Sequence, residues 1–220
     1  MPQNRPTTHD ILVPSTRGGN DMDRKPVIQV TANVTRVIDM QWLIDHKDNM
    51  LLFYGHKVTD PITDSCLSQW YPCEFKEEGV TYTSAEQYMM AEKARLFGDE
   101  EIREEIIRTD DPKACKRLGR KVRNFDKEIW DENKMDIVEH GNLLKFTQNP
   151  QLREFLLSTG DKLLVEASPV DRIWGIGLGK NNPDALDPSK WRGKNLLGFA
   201  LMGVRNDLVC MDGFGEFDEE

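Results

Sequence analysis

The sequence predicts an α+β fold, a single predominantly helical domain with a few short strands. Three observations lead there. Apolar residues recur at helical spacing through most of residues 84–204, whereas strand-type runs are few and short, and no internal repeat is visible. The 220 residues suffice for one sizeable core. A hydrophobic content of 38% and a mean hydropathy of −0.59 are low for a compact domain and assign some of the chain to solvent. The expected division is a flexible N-terminal extension over 1–35, one folded domain over 36–209 and an acidic C-terminal tail over 210–220.

Residues 1–35 mix Pro, Thr, Asn and Gly with little periodicity. VIDMQWLIDH (37–46) has near-helical apolar spacing and predicts a short helix, and LLFYG (51–55) a short buried strand. CEFKEEGVTYTS reads as two short strands around Gly79 that deliver the chain into residues 84–97, SAEQYMMAEKARLF. There Ser84 is the N-cap candidate, Gln87 completes a capping-box pattern, and Gly98 is the stop. Helices are then expected over 99–108, from Pro112 to about Arg120, over 127–146 and over 150–157. In the longest of these Trp130, Lys134, Ile137, Gly141 and Leu144 share one side, and a glycine there makes room for a close helix or a ligand. LLVEAS (163–168) is a strand candidate. The 24 turn-rich residues SPVDRIWGIGLGKNNPDALDPSKW form a loop too long to be idle, and NLLGFALMGV (195–204) is a final buried helix.

The formal net charge of −9 disfavours stable binding to a nucleic-acid duplex, although five carboxylates of the tail carry more than half of it. The basic run KACKRLGRKVR (113–123) reads as a solvated helix face. No apolar run reaches the ~20 residues of a membrane helix, so no membrane partner is expected. Cys66, Cys73, Cys115 and Cys210 form no CxxC pair and the four histidines are scattered, which indicates neither a metal site nor a disulfide framework. A reducing intracellular setting, cytoplasmic or nuclear, is the expectation.

The chemistry-bearing pattern starts in residues 84–97. Leu96, Met89, Phe97, Met90 and Ala94 fill one arc at 100° per residue, and the only charges inside it are Glu86 and Lys93, two turns apart. A charge on a buried face is costly unless it is paired or lines a cavity. Glu86 in a first turn also suits the helix dipole, and Lys93 can extend its stem along apolar surface, so spacing alone leaves a site and a well-capped helix equally open. Gly175, Gly177 and Gly179 do not make a dinucleotide loop, because no helix opens from them.

Several ordered blocks carry more. SQWYPCEF, GVTYTSAEQYMMAEKARLFGD, WDENKM at 130–135, DRIWGIGLG and WRGKNLLGFALMGVR at 191–205 together resemble the NADAR (NAD and ADP-ribose), or YbiA-like, family across about residues 50–208. The chain departs from that pattern in the loop after Ser65, where Gln69 stands in place of the expected Asn.

The resemblance implies N-glycoside hydrolysis on ribosyl compounds, either ADP-ribose on guanine or ribosylaminopyrimidine intermediates of the riboflavin pathway. A third reading, from another class, is a module that binds ADP-ribose without turnover. The implied substrate is a small-molecule or nucleic-acid-linked ADP-ribose, and the chemistry calls for no cofactor and no metal. It implies catalytic roles for Glu86, Lys93 and Asp171. Lys93 would attack ribose C1′, Glu86 would orient a hydroxyl or shuttle protons, and Asp171 would be the second acid/base group. Without Schiff-base chemistry, Glu86 and Asp171 would act as a glycosidase pair and Lys93 would only bind. Substrate contacts are implied for Trp130 and Trp174 by stacking, Arg172 by charge, Gly175 and Gly177 through backbone amides at a diphosphate, and for Ser68 and Asn195. The oligomeric state is not legible.

Overall fold

A computed structural model of the chain describes residues 27–31 and 34–215, with side chains from 38 to 212. It is predominantly helical, with seven helices and six short strands among the described residues. The strands β1 (Val27–Thr31) and β2 (Val34–Ile38) form an antiparallel hairpin. These strands fall partly inside the segment expected to be a flexible extension, where VIQVT and VTRVI are β-branched runs that pair well. Residues 1–26 lie outside the described residues.

Helix α1 (Met40–Asp45) is short and capped by Asp39, whose side chain accepts from the Trp42 amide. Strand β3 (Met50–Phe53) leads through a 3-10 turn at Asp64–Leu67 to the hairpin of β4 (Phe75–Glu77) and β5 (Val80–Tyr82). Helix α2 (Ala85–Leu96) follows, then α3 (Glu100–Ile107), α4 (Pro112–Gly119), α5 (Lys127–Gln148) and α6 (Pro150–Ser158). Helices α3, α4 and α5 start on Asp99, Asp111 and Asp126, each accepting from amides of its own first turn. Strand β6 (Leu163–Glu166) pairs parallel to β3, Phe53 opposite Glu166. The final helix α7 (Leu196–Gly215) runs well past the expected end near residue 204 and into the segment expected to be a free acidic tail. Its later turns keep Leu208 fully buried, which extends the packed face. No helix among the described residues is long and apolar enough to cross a membrane.

Helix α2 is the centre of the molecule rather than a one-sided amphipathic helix. It packs against α3, α4 and α5, and Ala85 through Glu92 are all buried. Room for this comes partly from Gly141 on α5. A Cβ there would stand 2.4 Å from Cδ1 of Tyr88, so the glycine serves a close helix contact. The capping pattern at its start is rearranged. Ser84 accepts from the Gln87 amide at 3.2 Å, but Gln87 Oε1 takes the Thr83 amide at 2.7 Å. Gln87 Nε2 faces the carbonyls of Ile106 (3.0 Å), Ile107 (3.2 Å) and Thr109 (2.8 Å), tying α2 to the end of α3.

Candidate active site

A helix buried all round must satisfy every polar side chain it carries. Glu92 is paired with Arg95 at 2.7 Å and Gln87 is saturated. Glu86, 2% exposed, is different: its Oε1 is closed off from solvent without a hydrogen-bond partner. Its backbone is held by the loop before α2, since the Glu86 amide donates to the Gln69 carbonyl at 2.8 Å. That loop is fixed from behind by Lys145 of α5, which is fully buried and donates to the carbonyls of Cys66 (2.7 Å) and Ser68 (3.0 Å). Gln69 turns inward to accept from Asn142 at 2.8 Å, so its side chain faces the core rather than a ligand. Ser68 Oγ accepts from the Trp70 amide at 3.1 Å and shapes the same loop.

Around Glu86 the fold gathers groups from three other segments. Burial pushes its carboxyl up to about 7, against the opposing pull of Lys116, the Trp70 side chain acting as a hydrogen-bond donor, and Arg120; Asp171 adds to the rise. Lys116 Nζ stands 3.6 Å from Asp171 Oδ2 and 5.9 Å from the centre of the Trp70 ring. Asp171 Oδ1 accepts from the amides of Ile173 (2.9 Å) and Trp174 (2.8 Å), a turn that holds the start of the long loop. The structure therefore brings Glu86 within range of the charges of Asp171 and Lys116, which are themselves paired.

A third carboxylate belongs to this cluster, Glu166 at the end of β6. Its Oε2 is also closed off without a partner, and burial, with Asp171 and Glu86 adding to it against Lys116, pushes the group up to about 8. Glu166 is invisible in the sequence, being one acid at the end of an apolar strand, and the fold buries it where the charges of Asp171, Lys116 and Glu86 act on it. Lys116 is a correction of another kind. It lies in the basic run read as a solvated face, and the other basic residues of that run are exposed, but Lys116 turns toward Asp171.

Lys93 occupies an adjoining compartment. Its Nζ donates to the Gly119 carbonyl at 2.8 Å and lies 4.2 Å from the Phe125 ring centre and 5.5 Å from that of Trp130. Burial alone pulls its ammonium below the ordinary lysine range. Seven residues separate it from Glu86 on α2, about 10 Å of helix rise. Both compartments border α4, through Lys116 on one side and Gly119 on the other.

The remaining residues expected at the site are placed as follows. Arg172 is exposed and Trp174 half-buried beside Asp171. Gly175 is buried against the protein's own backbone, where a Cβ would stand 2.8 Å from the Glu166 carbonyl oxygen. The Gly177 amide is already committed, donating to the Asp171 carbonyl at 3.0 Å. Asn195 is fully buried and spends its side chain on β6, donating to the Leu164 carbonyl at 2.9 Å and accepting from the Glu166 amide at 2.9 Å. These three residues position the loop and Glu166; burial removes Asn195 from direct ligand contact.

Comparison with known proteins places the family and the fold. The NADAR domain family model matches residues 52–209. N-glycosidase R617 of Acanthamoeba polyphaga mimivirus is 52% identical over 145 residues, covering 64% of this chain and 85% of that protein. The riboflavin biosynthesis protein VVA0006 of Vibrio vulnificus is 32% identical over 142 residues, covering 64% of this chain but 35% of that larger protein. The solved NMR structure of the Escherichia coli protein YbiA is similar in fold, with a TM-score of 0.60 at 30% identity, covering 75% of this chain and 88% of that one. With the family model spanning most of its folded part, and R617 and YbiA matched along most of their own length, this chain belongs to the NADAR domain family.

Proposed function

We propose that the protein is an N-glycosidase, a hydrolase that cleaves ribose C1′ from an exocyclic amine, and that its substrate is ADP-ribose attached to guanine. The observation that carries the reading is Glu86: a buried carboxyl with an unpartnered oxygen, held near neutrality, beside Asp171 and Lys116. The naming of mimivirus R617 as an N-glycosidase supports the reaction class.

An amine on C1′ allows the sugar ring to open to an imine. Lys93 suits the next step, since burial disfavours its charged form and no carboxylate among the described residues opposes that effect. Lys116 does not suit it, because its amine is engaged with the Asp171 carboxylate at 3.6 Å. The Lys93 amine adds to C1′, the base leaves as its free amine with a proton from the carboxyl cluster, and water hydrolyses the lysine imine. One water is consumed and Lys93 is restored. Trp130 walls the Lys93 compartment, while Trp174 and Arg172 border the Asp171 side, where a base and a diphosphate would lie.

A second reading, cleavage of ribosylaminopyrimidine phosphates, is favoured by the similarity to the Vibrio riboflavin biosynthesis protein. Incubation with both substrate classes separates them: free ADP-ribose from ADP-ribosylated guanine supports the first, free ribose phosphate alone the second. Tight ADP-ribose binding with no product from either overturns the enzyme reading. Borohydride added during turnover, followed by mass spectrometry, is expected to leave a reduced sugar adduct on Lys93. Turnover without that adduct would assign catalysis to Glu86 and Asp171 and leave Lys93 a binding role.

A further inference from the structure

The chain carries five tryptophans, and four of them serve the core. Trp191 is buried in it, and Trp42, Trp130 and Trp174 pack against it from partly buried positions. Trp70 is not among the residues packed on that core. It stands half-buried between Gln69 and Tyr71, which are only 6% and 4% exposed, so the turn takes both neighbours inward and leaves Trp70 on the outer side. The turn is braced. The Trp70 amide donates to Ser68 Oγ at 3.1 Å and the Tyr71 amide to the Ser68 carbonyl at 3.2 Å, which buried Lys145 also holds at 3.0 Å.

This turn touches the candidate site directly, since the Glu86 amide donates to the Gln69 carbonyl at 2.8 Å. Trp70 follows that contact by one residue, and its indole N–H is a donor toward the Glu86 carboxyl. The groups around the ring are polar. Lys116 Nζ lies 5.9 Å from its centre, and the exposed His56 ring lies 5.6 Å away, tilted by 54°. Trp42, by contrast, carries the His46 ring stacked at 3.9 Å and 18°. Among the described residues no ring lies parallel on Trp70. A large flat ring is thus held off the core and partly in water, beside a buried carboxyl whose Oε1 has no partner.

We propose that Trp70 is the platform on which the departing base stacks, so that it selects substrates whose leaving amine belongs to an aromatic heterocycle. The inference rests on the N-glycosidase reading for the bond that is broken, and adds the residue that recognises the base. Stacking there brings the exocyclic amine to the side of Glu86, the group that protonates it. Lys116, engaged with Asp171 at 3.6 Å, has further N–H donors for an oxygen or ring nitrogen on the edge of the base. Trp130 and Trp174, packed against the core, keep the role of walls.

The test uses the full chain with Trp70→Phe, which keeps a stacking ring, and Trp70→Leu, which does not. Binding is read by calorimetry in the Glu86→Gln background, with ADP-ribosylated guanosine and with ADP-ribose, which lacks the leaving base. Trp70→Leu is expected to weaken binding of the guanosine conjugate about 10–100-fold and of ADP-ribose less than about threefold. Trp70→Phe should recover most of the affinity for the conjugate. With Glu86 intact, the same order should appear in kcat/KM. Equal losses for the two ligands would place the adenine, or only a structural role, on Trp70. Equal losses from Phe and Leu would mean that the indole N–H on Glu86 is what matters. Either result, undiminished binding by Trp70→Leu, or binding of neither ligand by the Trp70-intact protein would overturn the platform. If the conjugate binds but neither it nor a ribosylaminopyrimidine phosphate is cleaved, the proposed function fails while the binding comparison still decides Trp70.

Discussion

Replacing Glu86 by glutamine keeps the side chain's shape and removes its charge, which separates what the residue does for the reaction from what it does to the fold. The carboxyl is 2% exposed and moves from an ordinary 4.5 to about 7 on folding. Each tenfold change in proton affinity is worth ~1.4 kcal/mol, so the ionised group costs the native state about 3 kcal/mol. Above pH 4.5 the unfolded chain gives up this proton while the native protein keeps it. Native stability from this group is therefore intact below about pH 4.5 and lost as pH rises to about 7. Glu86→Gln escapes that loss. It should match wild type near pH 4.5 and exceed it by up to about 3 kcal/mol at pH 8, or about 6–12 °C in Tm for a domain of this size. Activity should fall by about 10²–10⁴, the usual worth of a positioned acid/base. Thermal and urea denaturation across pH 4.5–8 reads the first effect and substrate turnover the second. A stability gap that is absent at pH 8, or that does not change with pH, would remove the buried-charge account of this residue.

Three further outcomes follow from the packing. Gln87→Ala leaves three carbonyls and the Thr83 amide of the α2–α3 junction without their side-chain partner. It should cost about 2–4 kcal/mol by chemical denaturation, and a loss below ~1 kcal/mol would mean that water replaces the amide. Gly141→Ala puts a methyl 2.4 Å from the Tyr88 ring and should destabilise by about 1–3 kcal/mol, despite ~1 kcal/mol of better helix propensity. A more stable variant would mean that Tyr88 can shift freely. Asn195→Ala loses two buried bonds to β6 and keeps a strained backbone, whereas Asn195→Gly loses the bonds alone. The glycine variant should be the milder by about 1 kcal/mol, and the reverse order would discount the strain.

The local elements were legible because their signals are local. Aspartates and prolines at helix starts, Gly98 at φ +67° and the paired runs around Gly79 act within a few residues of themselves. Elements were misjudged where distant partners decide. The β1–β2 hairpin and the later turns of α7 are stabilised by the partner they pack on, which a single window of sequence does not display.

The same division runs through the site. By itself the sequence determined that two charges stand on one side of α2, that Asp171 opens a constrained loop with tryptophan and glycine, and which family pattern these belong to. Only the tertiary structure decided that α2 is buried on all sides, and hence that Glu86 alone of its buried polar groups keeps an unpartnered oxygen. It also turned Lys116 toward Asp171, withdrew Asn195 and the Gly177 amide into the scaffold, and buried Glu166 at the end of β6, opposite Phe53 of β3. Proton affinity and charge pairing depend on burial and on distances between segments far apart in the chain. Spacing along one helix can name a candidate charge, but what lies opposite that charge is settled by the fold.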